Sequence, residues 1–141
     1  MIPGTCIEVR TKKFPVLAGE EDEIVNEGMY GKALCQYLER ELPKSSLGVP
    51  SFNAEDWGWW IEVQRGDYVL GLQIYSDTEA GQNPETYAIM SSVTEGKSWS
   101  WKKLRTIDVT DDVVDILNTV ERVLAEDPEI ELVKRHDELP F

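Results

Sequence analysis

The stretch that decides the fold is WWIEVQRGDYVLGLQIY, residues 59–75. Two runs rich in aliphatic and aromatic side chains, 59–64 and 68–75, flank the sequence Arg65-Gly66-Asp67. Short apolar runs joined by a glycine-containing turn are typical of an antiparallel β-hairpin. We therefore predict two paired strands here.

Other segments also carry strand patterns. Apolar and polar side chains alternate, or apolar runs of strand length occur, in four of them: 5–14, 48–54, 86–93 and 129–134. Pro50 favours an edge position for the second segment, because proline cannot donate to a sheet ladder. Trp99 and Trp101 fall on the same side of an extended segment and indicate a further strand.

Two segments, 29–42 and 109–125, have apolar residues at three- and four-residue spacing, which predicts amphipathic helices. Asn26 is the expected cap of the first helix, and Pro43 its expected end. For the second helix, Asp108 or Thr110 is the expected cap.

A meander of antiparallel strands with two amphipathic helices is satisfied most simply when both helices cover one face of one sheet. We predict an α+β fold: a two-layer sandwich of a mainly antiparallel sheet with two amphipathic helices on one face. No repeat or linker divides the chain, so residues 1–141 are expected to form a single domain.

The charge is strongly acidic, with 27 acidic and 14 basic residues and a net charge of -13. Such a chain repels phosphate backbones and anionic membranes and attracts cationic surfaces. We therefore expect neither nucleic acid nor a membrane as a partner, and we suspect a basic protein. The alternative is that the charge serves only solubility. The single basic cluster contains Lys97, Lys102, Lys103 and Arg105.

No signal segment and no long apolar run stands out, so we expect a cytoplasmic protein. Cys6 and Cys35 have no metal-binding or disulfide spacing and are expected to be reduced core thiols. No cofactor motif is present, and we expect no cofactor and no metal.

Catalytic residues are scarce. His136 is the only histidine and is expected near a frayed terminus, where a general base is poorly placed. The remaining acid–base groups are the carboxylates of residues 20–23 and of Glu55-Asp56. Because four consecutive carboxylates are costly to bury, residues 20–23 are expected to form a solvated loop.

The most unusual local sequence is EDWGWW, residues 55–60, which combines three indoles with two carboxylates around Gly58. One interpretation is structural, with Trp57 and Trp59 packed on one side of a strand that bends at Gly58. The other is an indole platform for a cation, rimmed by carboxylates, which Trp99 and Trp101 could extend. The candidate binding residues are Glu55, Asp56, Trp57 and Trp59, together with Glu21 and Asp22 of the acidic segment.

Three segments, 19–23 (GEEDE), 26–34 (NEGMYGKAL) and 55–59 (EDWGW), together resemble a family of small, uncharacterised bacterial proteins. This resemblance covers roughly the first half of the chain and implies no particular activity. In acidity, size and α+β character the chain is also similar to immunity proteins that neutralise bacterial toxins, a likeness that transfers no residues.

Three functions follow as hypotheses. The first is an acidic protein-binding domain of the immunity or antitoxin type, which inhibits a basic partner. The second is a small enzyme that uses carboxylates, with or without a divalent metal. The third is a binder of small cationic ligands built on the tryptophan cluster.

Overall fold

The structure is a computed structural model that describes all residues from Met1 to Phe141. It contains eight strands: β1 (Cys6–Arg10), β2 (Phe52–Glu55), β3 (Gly58–Arg65), β4 (Tyr68–Ser76), β5 (Thr86–Ser91), β6 (Lys97–Ser100), β7 (Arg105–Asp108) and β8 (Glu131–His136). The helices are α1 (Glu20–Glu23), α2 (Lys32–Glu41), a 3-10 helix (Leu42–Ser45) and α3 (Thr110–Ala125). None of these helices has both the length and the apolar character needed to cross a bilayer.

Six strands form one antiparallel sheet in the order β2-β3-β4-β5-β1-β8. The predicted central hairpin is confirmed, because Arg65 pairs with Tyr68 around the two-residue turn Gly66-Asp67. The short strand that follows Pro50 is confirmed as an edge strand. At the other edge, β8 pairs with β1 through to His136, so the expectation that this histidine lies in a frayed terminus is wrong.

Both amphipathic helices pack on the same face of this sheet, which confirms the predicted α+β sandwich. Alternate residues of β3 and β4 are buried there, and Ile61 lies opposite Leu72 in the register. These strand residues form one hydrophobic cluster with the apolar faces of α2 and α3, which include Leu34, Leu38, Ile116, Leu117 and Val120. Removing this apolar area from water is the main stabilising contribution to the fold.

β6 and β7 form a separate two-stranded sheet. Trp99 lies in β6, whereas Trp101 lies in the turn that follows it. The predicted further strand is therefore real, but it does not join the main sheet. We call residues 97–108 the β6–β7 hairpin.

Cys6 and Cys35 are both buried and both free, as the sequence predicts. Burial raises the pKa of the Cys6 thiol to about 11. The thiol is therefore protonated at neutral pH and is a poor nucleophile.

Candidate functional site

The turn between β2 and β3 organises the unusual EDWGWW sequence. Glu55 pairs with Gly58, so that Asp56 and Trp57 form a two-residue turn. Gly58 lies against the backbone of the neighbouring strand, and a Cβ atom there would come within 2.3 Å of the Ile74 carbonyl oxygen. Glycine is required at this position because β4 approaches too closely for any side chain.

Trp57 and Trp59 lie on opposite faces of the sheet, so the expectation that they share one side is wrong. Trp59 is 3% exposed and packs in the core under the helices, where its indole N–H donates to the Met29 carbonyl oxygen at 3.0 Å. This burial removes Trp59 from the candidate binding surface. Trp57 instead packs against Tyr75, with ring centroids 5.2 Å apart, on the face that the helices leave open. Regular alternation fails because the turn intervenes between the two residues.

Trp60, which the sequence did not single out as a binding residue, also lies on the helix-free face. Its benzene ring covers Gly71 of β4, where a Cβ atom would come within 2.0 Å of the ring. Trp57, Trp60 and Tyr75 are all half-buried. The helix-free face therefore presents aromatic rings that are partly accessible and held by the sheet.

The predicted solvated loop at residues 20–23 is in fact the short helix α1, and Glu20 is only 1% exposed. The Glu20 carboxylate accepts three backbone hydrogen bonds, from Leu17 N–H at 3.0 Å, from Gly31 N–H at 2.9 Å and from Lys32 N–H at 3.1 Å. Two of these donors are at the start of α2, where helices leave N–H groups without partners. Glu20 is buried because the backbone replaces the water that the carboxylate loses.

The same contacts correct the prediction that Asn26 caps the first long helix. α2 begins at Lys32, and no side chain adjacent in sequence caps it. The Asn26 side-chain amide instead donates to the Asp56 carbonyl oxygen at 2.6 Å. Asn26 therefore connects the segment after α1 to the β2–β3 turn.

Glu21 and Asp22 are both exposed. Glu21 accepts a hydrogen bond from the Tyr30 hydroxyl, and this contact raises the Tyr30 pKa. The Tyr30 oxygen in turn accepts from Gly81 N–H at 2.9 Å. Asp22 makes no side-chain hydrogen bond or ion pair, in contrast to its neighbour Glu23, which binds Lys32 at 2.6 Å.

Three segments thus meet at one end of the sheet: residues 20–28, 55–57 and 76–85. The Asn26–Asp56 bond joins the first two, and the Ser76 hydroxyl, which donates to the Gly28 carbonyl oxygen at 3.4 Å, joins the first to the third. Their acidic residues are Glu20, Glu21, Asp22, Glu23, Glu27, Glu55, Asp56, Asp77, Glu79 and Glu85, and the segments contain no lysine or arginine. We call these three segments the acidic end.

Trp99 and Trp101 do not extend this site, so that prediction is wrong. The β6–β7 hairpin lies beside the turn between β3 and β4, where Lys102 approaches Asp67 at 3.8 Å. β3 runs from the acidic end at Gly58 to this turn at Arg65. At roughly 3.3 Å per residue, the two tryptophan sites are separated by about 25 Å.

His136 and Glu8 form a pair that sequence spacing does not reveal. The His136 Nε2 and Glu8 Oε1 atoms are 2.7 Å apart, and both side chains are mostly covered. The pair joins β8 to β1, whose register places His136 opposite Cys6. No group of three or more histidine, cysteine or acidic side chains is arranged to hold a metal ion.

Comparison of the chain with protein-family models, with curated protein sequences and with solved structures finds no match in any of the three. The resemblance to small acidic bacterial proteins therefore stays a prediction.

Proposed function

We propose that this chain is a protein-binding domain whose acidic end covers a basic surface of a partner protein, in the manner of an immunity-type inhibitor. The observation that supports the proposal is the convergence, at one end of the sheet, of three segments that contain ten acidic residues and no lysine or arginine of their own. A concentration of one charge sign attracts the opposite sign over long range and accelerates association.

Most carboxylates at the acidic end have no cation of their own. Glu20 is committed to backbone donors, Glu23 pairs with Lys32, and Glu85 lies 3.9 Å from Lys12. The other seven make no ion pair: Glu21, Asp22, Glu27, Glu55, Asp56, Asp77 and Glu79. Like charges held near one another repel, and a cationic partner relieves that repulsion.

Trp57 supplies an anchor beside this charge. Its ring is half-buried against Tyr75, and Asp56 next to it is exposed. A tryptophan that is already fixed loses little conformational entropy on binding, and an arginine side chain gains both from the indole face and from a neighbouring carboxylate. Trp57 and Asp56 together therefore suit an arginine on a partner surface.

The first test uses an oligoarginine peptide as the probe, titrated calorimetrically into three proteins: the wild type, Asp22→Asn with Asp56→Asn, and the control Asp111→Asn with Glu138→Gln. Both double variants lose the same charge, but the control residues are exposed and lie away from the acidic end. We expect the first double variant to bind about fivefold more weakly and the control to bind nearly as the wild type does. Equal weakening of both would mean that only net charge matters, and the proposal would be wrong.

The second test separates binding from folding at Trp57. We expect Trp57→Ala to weaken binding of the same peptide about fivefold. The denaturation midpoint should change by a smaller fraction than the binding constant does. Trp59→Ala is the matched control. Because Trp59 is a core residue, this variant protein should lose stability rather than a specific binding contact. Unchanged peptide binding by a folded Trp57→Ala protein would remove Trp57 from the site.

The inhibitory role has its own test. If the product of the neighbouring reading frame is a basic toxin, co-expression of this chain should restore growth, and the Asp22→Asn/Asp56→Asn variant should restore it less. Full rescue by that variant would contradict a role for the acidic end in neutralisation.

A further inference from the structure

The β6–β7 hairpin has a charge opposite to that of the rest of the molecule. Residues 97–105 contain Lys97, Lys102, Lys103 and Arg105 and no acidic residue. The other 132 residues therefore carry ten of the 14 basic residues and all 27 acidic ones. The hairpin therefore carries a cluster of four basic residues on an otherwise acidic chain.

The tip of the hairpin is also apolar and exposed. Trp101 is 80% exposed, Leu104 69% and Trp99 51%, and the two indole rings form an edge-to-face pair with centroids 5.8 Å apart. Every residue from 101 to 106 is exposed. Large apolar side chains that cluster at a projecting tip mark a surface that meets something other than water.

The base of the hairpin is attached to the body, whereas the tip is not. Ile107 packs against the core cluster, and Val109 N–H donates to the Gly96 carbonyl oxygen at 2.7 Å. Beyond the base, the only ion pair is the 3.8 Å approach of Lys102 to Asp67, and both of these side chains are almost fully exposed. The tip residues therefore contribute little to folding.

Leu104 adds an independent observation. Its backbone has φ 51°, in the left-handed region that glycine and asparagine occupy easily and a leucine rarely does. The fold would be relieved by a glycine there, yet the sequence places a large apolar side chain that points away from the core. A local rule broken without a gain in packing is expected where a residue serves function.

We propose that the β6–β7 hairpin docks on an anionic lipid surface, with Trp99, Trp101 and Leu104 in the interfacial layer and the four basic residues on lipid phosphates. Tryptophan at the interface, beside lysine and arginine with apolar stems and charged ends, is the combination that membrane interfaces favour. Because a bilayer is fluid, a projecting tip can enter its interfacial layer without a preformed pocket. Nucleic acid would use the basic residues and the indoles but would gain nothing from Leu104.

The net charge of -13 predicts no membrane partner, but it averages over both ends of the molecule. The acidic end is about 25 Å from the hairpin by strand length, whereas charges are screened over about 8 Å at physiological salt. The hairpin itself ends with Asp108, which accepts from Thr110 N–H at 2.9 Å. The acidic groups that face the hairpin from neighbouring elements are Asp67, Glu95 and Asp112; Glu95 lies 3.5 Å from the amino terminus, and Asp112 pairs with Arg65 at 2.6 Å. These groups weaken the attraction, so we expect reversible binding.

The test is co-sedimentation of the whole protein with vesicles of phosphatidylcholine alone and of phosphatidylcholine mixed with phosphatidylglycerol. We expect binding only to the anionic vesicles. Lys102→Ala with Lys103→Ala should lower the partition coefficient about 25-fold, since each basic residue near the surface contributes about fivefold. The matched control is Lys12→Ala with Lys134→Ala, two exposed lysines outside the hairpin, which should bind nearly as the wild type does.

The apolar contribution is tested by Trp101→Ser with Leu104→Gly, a pair of changes that the exposed tip and the φ of residue 104 accommodate. We expect this variant to bind about tenfold more weakly than the wild type, and we expect the tenfold difference to remain at high salt. The proposal is overturned if anionic vesicles bind no better than neutral ones, or if either hairpin variant binds as the wild type does. It is also overturned if soluble glycerol phosphate competes for the protein as strongly as anionic vesicles do. A single-stranded oligonucleotide that binds through Lys102 and Lys103, when vesicles do not bind, would overturn it as well.

Discussion

The acidic end and the β6–β7 hairpin lie at opposite ends of the sheet and use charged residues differently. At the acidic end, Glu20 is inside the fold, and Asn26 and Tyr30 connect the surrounding loops. At the hairpin, Trp101 and Leu104 are largely exposed, and Lys102 makes only a 3.8 Å approach to Asp67. The difference shows that a charged sequence pattern does not distinguish a structural carboxylate from a free one, whereas its hydrogen-bond partners do.

The largest effect expected from this comparison is at Glu20. Glu20→Ala leaves the backbone N–H groups of Leu17, Gly31 and Lys32 without an acceptor, so we expect a loss of about 3 kcal/mol in the free energy of unfolding. Asp22→Ala, two residues away, should change it by less than about 0.5 kcal/mol. Urea denaturation of both variants checks this, and similar values for the two would show that Glu20 is not structural.

The next effect concerns glycine positions at the two ends of β3. Gly58→Ala places a Cβ atom 2.3 Å from the Ile74 carbonyl oxygen and should cost about 2–3 kcal/mol. Gly66→Ala, in the turn at the other end, meets nothing within 4 Å and has only its φ of 59° to accommodate, so we expect a loss of about 1 kcal/mol. Thermal melts of the two proteins give the order, and a reversed order would contradict the close strand approach at Gly58.

Lys13 provides a basic residue that is bound into the fold, in contrast to the hairpin lysines. Its Nζ atom lies 2.6 Å from Asp127 and 2.9 Å from Glu129, and the Tyr37 hydroxyl also donates to Asp127, at 2.9 Å. The Lys13 contact is the main cause of a lowered Asp127 pKa. We expect Asp127→Asn to cost about 2 kcal/mol near neutral pH, whereas Lys102→Ala should cost almost nothing.

The lowered pKa also predicts a pH dependence. A carboxyl group with a folded-state pKa below its unfolded value contributes stability above about pH 4 and loses it as the pH falls through the folded-state pKa. The difference in unfolding free energy between wild type and Asp127→Asn should therefore shrink below about pH 4. A difference that stays constant from neutral to acidic pH would show that the Lys13–Asp127 contact is not ionic.

The smallest stability effect is expected at the hairpin tip. Leu104→Gly removes an exposed side chain and relieves a left-handed backbone, so stability should rise by up to about 1 kcal/mol. Trp101→Ser should leave it within about 0.5 kcal/mol of wild type. Chemical denaturation checks both, and a loss above about 1 kcal/mol in either would show that the tip packs in the folded protein.

Sequence periodicity predicted the elements that depend on local patterns. The central hairpin follows from two apolar runs around Gly66, and α3 follows from helical spacing that begins after Asp108. Both are determined by neighbours in the chain, and the structure confirms both. The sandwich arrangement followed because two apolar helix faces and one apolar sheet face need to be buried together.

The features that the sequence did not predict depend on distant contacts. Glu20 is buried by N–H groups 11 and 12 residues further along the chain. The one available signal was the start of α2 at Gly31-Lys32, which lacks a capping side chain of its own and so needs an acceptor from elsewhere. The separation of Trp57 from Trp59 depended on which residues form the turn, and the distance between Trp57 and Trp101 depended on where a second sheet attaches.

The most direct test of the account is to map where a cationic probe binds. Backbone amide chemical shifts of the labelled protein, followed as oligoarginine is added, should change at residues 20–28, 55–57 and 76–85. They should stay constant in the β6–β7 hairpin, and the changes should reverse as salt is added. Shift changes spread evenly over all acidic surfaces, or concentrated outside the acidic end, would contradict the claim that this end is the binding site.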